Sequence, residues 1–296
     1  MKYDVAIIGG GIAGLSAAMY CGRFNLKTVI FSPLPGGTIQ LTDVVENYPG
    51  FKSISGPNLA KQFIEHAKVH KPTWIRKKVR KISKQKGGFG LLADKRYSAS
   101  AVILTTGTAW RRLEVPGAKE YENKGVHFCA NCDGPRYKSK VVGVVGGADS
   151  AVKEALVLSG MAKKVNIIYR GKQVHPEPIN MLRLKKKKNV GVLNETKVVE
   201  IFGGKSVEGV KLDNGESLAL DAVFVEIGHI PLTELAAQLK VRLNKTGQVK
   251  VNTLMETNVK GFFAAGDVTN TPFKQGIVAA SEGSVAAYSA YGYLTR

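Results

Sequence analysis

One pattern occurs twice in this chain: an apolar strand, a glycine-rich turn, an Ala-rich stretch with helical spacing, and another short apolar strand. The first copy runs Val5-Ala6-Ile7-Ile8, then Gly9-Gly10-Gly11-Ile12-Ala13-Gly14, with Leu15, Ala18 and Met19 at helical spacing, and closes on Thr28-Val29-Ile30-Phe31. The second runs Val141 to Val145, then Gly146-Gly147-Ala148-Asp149-Ser150-Ala151, continues through Val152, Ala155 and Leu156, and closes on Val165-Asn166-Ile167-Ile168. Each copy reads as a strand-helix-strand unit with parallel strands. Two of them predict an α/β fold with two Rossmann-like nucleotide-binding domains. A chain of 296 residues has room for both, each with its own core.

Glycine and proline mark the expected chain crossings, at Leu113-Glu114-Val115-Pro116-Gly117 before the second copy and at Ile227-Gly228-His229-Ile230-Pro231 after its last strand, Ala222 to Ile227. The C-terminal part holds Gly261 to Asp267 and a small-residue helix from Gln275 to Tyr293, and has no complete unit of its own. The expectation is therefore a discontinuous first domain, 1–113 with 244–296, into which a second domain, 114–243, is inserted.

Gly9, Gly11 and Gly14 have the spacing that lets a backbone turn tightly, approach a pyrophosphate and open a helix whose amides face the anion. The acidic residue expected at the end of the next strand is replaced by Ser32, so ribose contacts must come from elsewhere. In the second copy Gly146, Ala148, Asp149 and Ser150 form the turn, and the methyl of Ala148 takes room from a pyrophosphate. Its second strand ends in Tyr169-Arg170-Gly171-Lys172, where Arg170 and Lys172 offer cations for a 2′-phosphate. Two readings stand for this copy: an NAD(P) site, or an inherited fold element that no longer binds well.

Cys129-Ala130-Asn131-Cys132 has the spacing of a reversible disulfide, in which one thiolate attacks and the other resolves. Structural zinc needs two more ligands, and the remaining cysteine, Cys21, lies within the first helix and reads as a buried small residue, so no metal is expected. Asp133 is placed to pass a proton to a leaving thiolate, or is simply a turn residue before Gly134-Pro135. His127, close to the pair, is either an acid or base for the exchange or a structural residue at a strand end, and the structural role is favoured.

The formal charge is 43 − 23 = +20. The segment Lys68 to Lys86 has nine Lys or Arg and no acid, and Lys185 to Lys188 is a run of four, yet only Trp74 interrupts the first segment with an aromatic. Nucleic-acid binding wants stacking aromatics or a recognised motif, so the charge reads as a solvated surface open to an acidic protein partner. No apolar run approaches the roughly 20 residues of a membrane span, and the N-terminus leads directly into a strand. A cytoplasmic protein that binds neither nucleic acid nor membrane is expected.

Several blocks together resemble the low-molecular-weight thioredoxin reductases, FAD-dependent pyridine nucleotide-disulfide oxidoreductases of class II. They are Asp4 to Gly11, Gly36-Gly37, Val45 to Phe51, Thr106-Gly107, Gly125 to Gly134, Ile227 to Pro231, Gly266-Asp267-Val268 and Lys274 to Ala280. The cysteine block is the most specific, and the resemblance extends from Tyr3 to the C-terminus. It implies FAD at Gly9, Gly11, Ala13 and Gly14, with Gly37, Gln40 and Asn47 near the flavin. It adds Thr106, Gly107, Gly266, Asp267, Lys274, Gln275, Gly276 and Ile277 to the FAD site, with Val268 and Ala279 as apolar neighbours. The implied reaction carries electrons from a nicotinamide through the flavin to Cys129 and Cys132, and then to a protein disulfide such as thioredoxin's. Cys132 would face the flavin, Cys129 attack the substrate and Asp133 supply the proton, with the inserted domain rotating between two states and the protein a homodimer.

The donor site departs from the family. Its triple-glycine turn has Ala148, and its His-Arg-Arg-x-x-x-Arg strand end reads Tyr169-Arg170-Gly171-Lys172-Gln173-Val174-His175. Losing two bidentate phosphate ligands removes roughly 1.5–3 kcal/mol each, so relaxed NADPH or NADH choice is expected. An acidic ferredoxin docking on the basic surface is the alternative donor. A basic binding protein that has kept the flavin fold without turnover is the reading from another class.

Overall fold

The computed structural model describes residues 2–295; Met1, placed by the sequence directly before the first strand, and Arg296, the end of the expected first domain, lie outside the described residues. In chain order the first segment contains β1 (Lys2–Ile8), α1 (Ile12–Arg23), β2 (Thr28–Phe31), a 3-10 turn at Gly37–Leu41, β3 (Val44–Val45), β4 (Ile54–Ser55), α2 (Gly56–Val69), β5 (Thr73–Ile75), β6 (Lys81–Gln85), β7 (Gly88–Leu92), β8 (Arg96–Leu104) and β9 (Thr108–Trp110). Next come β10 (Val126–His127), α3 (Ala130–Asp133), a 3-10 turn at Gly134–Tyr137, β11 (Val141–Val145), α4 (Asp149–Ser159), β12 (Lys164–Ile168), α5 (Pro178–Lys185), β13 (Val190–Leu193), β14 (Val198–Gly203), β15 (Val207–Leu212), β16 (Ser217–Ala219) and β17 (Ala222–Val225). The chain closes with β18 (His229–Pro231), α6 (Glu234–Gln238), β19 (Phe262–Ala264) and α7 (Gly276–Leu294).

Contacts divide the chain into two compact units, Met1–Ala109 with Ile230–Arg296, and Trp110–His229. The sequence pattern places the cuts at 113/114 and 243/244. The stretch 230–243 segregates with the first unit because Leu235 and Ala236 of α6 are buried in its core and the Gln238 carboxamide accepts the Ile82 N–H of edge strand β6 at 2.9 Å. A five-residue helix carries too little periodicity to announce its partner.

In the first unit the sheet runs β5-β2-β1-β8-β7-β6. Strands β1, β2, β5 and β8 pair in parallel, as the strand-helix-strand pattern requires. The long β8 uses Tyr97 and Ala99 against antiparallel β7 and Val102 to Leu104 against parallel β19, which brings the C-terminal segment into this sheet. Helix α7 lies on α1, where the small residues Ala13, Ala17, Ala286, Ala287 and Ala290 share one core and Ser16 Oγ donates to the Ala280 carbonyl at 2.7 Å. Cys21 is wholly buried there, and burial pushes its thiol up to about 12, which leaves it inert. Trp74 packs against the same core.

In the second unit a five-stranded parallel sheet has the order β10-β17-β11-β12-β13, and β14-β15-β16 form a separate antiparallel sheet. Among the described residues no helix is long and apolar enough to cross a membrane, and no cluster of three His, Cys, Asp or Glu is placed to hold a metal ion.

Candidate active site

The first glycine turn joins β1 to α1. Gly9 has φ +117°, and a Cβ there would lie 2.1 Å from the Thr105 carbonyl oxygen; Thr105 Oγ1 in turn donates to the Gly9 carbonyl at 2.9 Å. A Cβ on Gly14 would lie 2.0 Å from the Gly9 carbonyl oxygen, so this helix can pack on its own turn only without a side chain. Gly11 is different: its nearest neighbour would be the Gly37 Cα at 4.0 Å, so the space above it is open. Gly11 caps α1 with no side-chain acceptor, and no acid lies in the first turn of that helix. Helix-start amides without a protein acceptor, beside open space over a glycine, fit the pyrophosphate of a dinucleotide.

The residues expected near a flavin surround this turn. Gly37 has φ +68° and sits against Gly11, while Gln40 Nε2 donates to the carbonyls of Pro35 (2.7 Å) and Gly37 (3.4 Å) and so braces the 3-10 turn. Asn47 Nδ2 donates to Gln275 Oε1 at 3.0 Å, so two expected flavin neighbours 228 positions apart meet. Gly276 opens α7 against Ile12 and Tyr48, and Ile277 beside it is exposed. Ala13 is buried under Gly266, with the Asp267-Val268 turn following; Val268 is fully buried and Ala279 partly so. Lys274 Nζ donates to the Thr269 carbonyl, and burial pushes its ammonium below the ordinary lysine range despite Asp267 and Glu282. Thr106 Oγ1 donates to the Leu232 carbonyl at 2.7 Å, and Gly107 next to it, at φ +65°, has open space at its Cβ position. Sequence reasoning missed Glu282, a buried carboxylate of α7 that accepts the Gly266 N–H at 2.7 Å and the Thr269 hydroxyl at 3.3 Å. An acid inside a run of small helical residues was the available signal.

The second turn keeps the backbone plan and changes its surroundings. A Cβ on Gly146 would lie 2.1 Å from the Glu226 carbonyl oxygen, and one on Gly147 would lie 2.3 Å from the ring of Tyr169. That ring also covers Gly171, at 2.6 Å from a Cβ there, and its hydroxyl reaches His175 Nδ1 at 3.3 Å. Ala148 caps α4 with no side-chain acceptor, while Asp149 Oδ1 accepts from the Glu177 N–H and Asn180 Nδ2, both at 2.8 Å. Glu226 is buried, held by Ser150 and facing Glu154, and burial first, then the second carboxylate, push it up to about 8. Arg170 and Lys172 are exposed. The methyl of Ala148 and an aromatic ring over the turn both take away from what a pyrophosphate needs.

Cys129 and Cys132 are disulfide-bonded, with Cα atoms 5.4 Å apart, at the start of the four-residue helix α3. Cys129 is buried and Cys132 exposed. Cys129 Sγ accepts the Cys132 N–H at 3.2 Å, and Glu154 accepts the Ala130 N–H, which fixes the helix start from α4. Burial pushes the Glu154 carboxyl up to about 7. Asp133 Oδ2 lies 3.3 Å from His127 Nδ1, and its Oδ1 lies 3.6 Å from Arg136. The unit therefore presents a redox pair of one buried and one exposed cysteine with a carboxyl group next to it, an arrangement suited to thiol–disulfide exchange with proton transfer.

The model of the pyridine nucleotide-disulphide oxidoreductase family matches residues 3–283. Thioredoxin reductase of Bacillus subtilis is 39% identical over an alignment of 300 residues that covers 99% of this chain and 95% of the relative. Among solved structures, Lactococcus lactis thioredoxin reductase (FR conformation) superposes with a TM-score of 0.96 at 33% identity, covering 99% of both chains. A ferredoxin-flavin thioredoxin reductase of Clostridium acetobutylicum superposes at 0.56 with 32% identity, covering 100% of this chain and 98% of the other.

Proposed function

We propose that this chain, which belongs to the pyridine nucleotide-disulphide oxidoreductase family and is a thioredoxin reductase flavoenzyme, carries electrons from NAD(P)H through FAD and the Cys129–Cys132 pair to the disulfide of a thioredoxin. When bound, FAD supplies the two-electron store between a hydride donor and a disulfide. Gly9, Gly11 and Gly14 with the first amides of α1 would hold its pyrophosphate, and Gly37 beside Gly11 would leave room for it. Gln40, Asn47, Asp267, Lys274, Gln275 and the start of α7, with Thr106 and Gly107, would position the rest of it.

Cys132 receives the electrons and Cys129 attacks the thioredoxin disulfide. In support of Cys129 as nucleophile, its sulfur accepts the Cys132 N–H, a contact that favours a thiolate over a thiol. Asp133 delivers the proton to the leaving thiolate. The resemblance adds a homodimer in the cytoplasm. The observation that carries this reading is the occurrence, on one chain, of an open glycine turn and a cysteine pair with an adjoining carboxyl group. Cys129→Ser and Cys132→Ser are each expected to retain FAD and to lose thioredoxin reduction; wild-type turnover in either variant contradicts the reading.

One observation favours a second reading of the donor. The Tyr169 ring on Gly147 and Gly171 narrows the nicotinamide-nucleotide turn, which suits reduction by an acidic ferredoxin instead. Flavin reduction by reduced ferredoxin that slows steeply with salt supports that route, and absent or salt-insensitive transfer counts against it.

A further inference from the structure

One buried imidazole beside the disulfide has no part in the exchange described above. The side chain of His127, at the end of β10, is fully buried, with its ring 5.5 Å from Phe224 of β17 and 5.4 Å from Tyr137. Its Nε2 lies 2.8 Å from the Tyr137 hydroxyl. Its Nδ1 faces Asp133 Oδ2 at 3.3 Å, too poorly aligned for a directed hydrogen bond, and has no other partner. Contacts of this kind tighten when a site takes up its reacting geometry.

The charges around the ring are Asp133 and Arg136 from the adjoining helix and turn; behind Tyr137 lies Asp221, at the foot of β17, paired with Lys140 at 3.3 Å. Burial dominates and pushes the imidazolium below the ordinary histidine range, with Arg136 acting in the same direction and Asp133 opposing. The ring is therefore neutral near pH 7 and has one N–H. A carboxylate offers only acceptors, so that N–H belongs on Nδ1, and Nε2 accepts from the Tyr137 hydroxyl.

We infer that His127, held in its Nδ1–H form by Tyr137, is a positioning residue that orients Asp133 and stabilises its carboxylate between two proton transfers at the Cys129–Cys132 pair. The inference rests on the reading of Asp133 as the proton donor. The Cys129 thiolate attacks one sulfur of the substrate disulfide, that S–S bond breaks, and the leaving thiolate takes the proton of the Asp133 carboxyl. Cys132 then gives its own proton to the Asp133 carboxylate and attacks the Cys129 sulfur. The mixed disulfide breaks, and the second substrate thiolate takes from solvent the proton that Cys129 had released. Two electrons and two protons pass from the enzyme dithiol to the substrate, and Asp133 ends as it began. His127 donates to the carboxylate in the interval and exchanges no proton.

The test is single-turnover reduction of a bacterial thioredoxin disulfide by pre-reduced holoenzyme, followed from pH 5 to 9 in the wild type and in Asp133→Asn, Tyr137→Phe, His127→Leu and His127→Asn. Asp133→Asn is expected to slow exchange by about 100-fold. Tyr137→Phe keeps the ring; it and His127→Leu are expected to slow exchange by about 10-fold and to move upward the alkaline limb of the pH profile, on which Asp133 loses the proton it must deliver. His127→Asn, which keeps an N–H toward Asp133, recovers most of the rate. Wild-type rates and profiles in Tyr137→Phe and His127→Leu, with Asp133→Asn slow, overturn the positioning role alone. An unchanged rate in Asp133→Asn overturns the reading of Asp133 beneath it as well.

Discussion

At the end of the second strand of the first unit stands Ser32, 2.5 Å from where a Cβ on Gly10 would be; in the second unit the same place holds Tyr169, whose ring lies on Gly147. Under the first turn the carbonyl that Gly9 approaches belongs to Thr105, whose hydroxyl is spent on the Gly9 carbonyl. Under the second turn the corresponding carbonyl belongs to Glu226, a buried acid. Gly11 has open space where Ala148 has a methyl. One backbone plan thus yields two different sites, because pyrophosphate binding depends on what fills the positions around the turn as much as on its glycines.

The comparison breaks most readily at Gly11. Its backbone is ordinary, with φ −76°, and no atom lies closer than 4.0 Å to a Cβ there, so Gly11→Leu is expected to fold and to lose FAD affinity by about 100-fold, read as flavin retained after dialysis. Full flavin content in that variant refutes the assignment of the open turn.

Glu226→Gln tests the acid under the second turn. A carboxyl with a folded value near 8 against 4.5 unfolded keeps its proton in the folded state where the unfolded chain has shed it, so its favourable effect is lost as pH rises from about 4.5 through 8. The glutamine variant is therefore expected to be more stable at pH 8 by roughly 4 kcal/mol, with little difference at pH 4.5, in denaturant titrations at the two pH values. A stability gap that does not change with pH removes the buried charge from the account.

Opening the second turn has a smaller expected effect. Tyr169→Ala combined with Ala148→Gly removes the ring and the methyl, and about a tenfold tightening for NADPH is expected from one recovered hydrogen bond to phosphate, measured by fluorescence titration. Unchanged or weaker affinity means that the ring does not limit the site.

The first turn was fully legible, because Gly9, Gly11 and Gly14 act through backbone geometry that residue type alone reveals. The substitutions Ser32, Ala148 and Tyr169 were also visible as departures, but which way a tyrosine ring lies depends on neighbours such as Gly171 and His175. The Cys129–Cys132 spacing identified the redox pair; the buried side of Asp133 did not show, since His127 and Tyr137 reach it through a turn whose course is set by tertiary packing against Phe224. Glu282, Glu226 and Glu154 were missed for one reason. A buried acid has no sequence signature apart from the burial of its surroundings, and α6 was lost to the same lack of periodic signal.

The most direct test of whether the second turn is weakened as a nicotinamide site is an anaerobic titration of the oxidised flavin with NADPH, NADH and reduced ferredoxin in parallel. Bleaching by both nicotinamides is expected, with half-saturation for NADPH and NADH within about tenfold of each other, because Arg170 is the one arginine of the strand end from Tyr169 to His175. Bleaching by NADPH with a preference above roughly 100-fold, or no bleaching by either nicotinamide at millimolar concentration, contradicts that expectation.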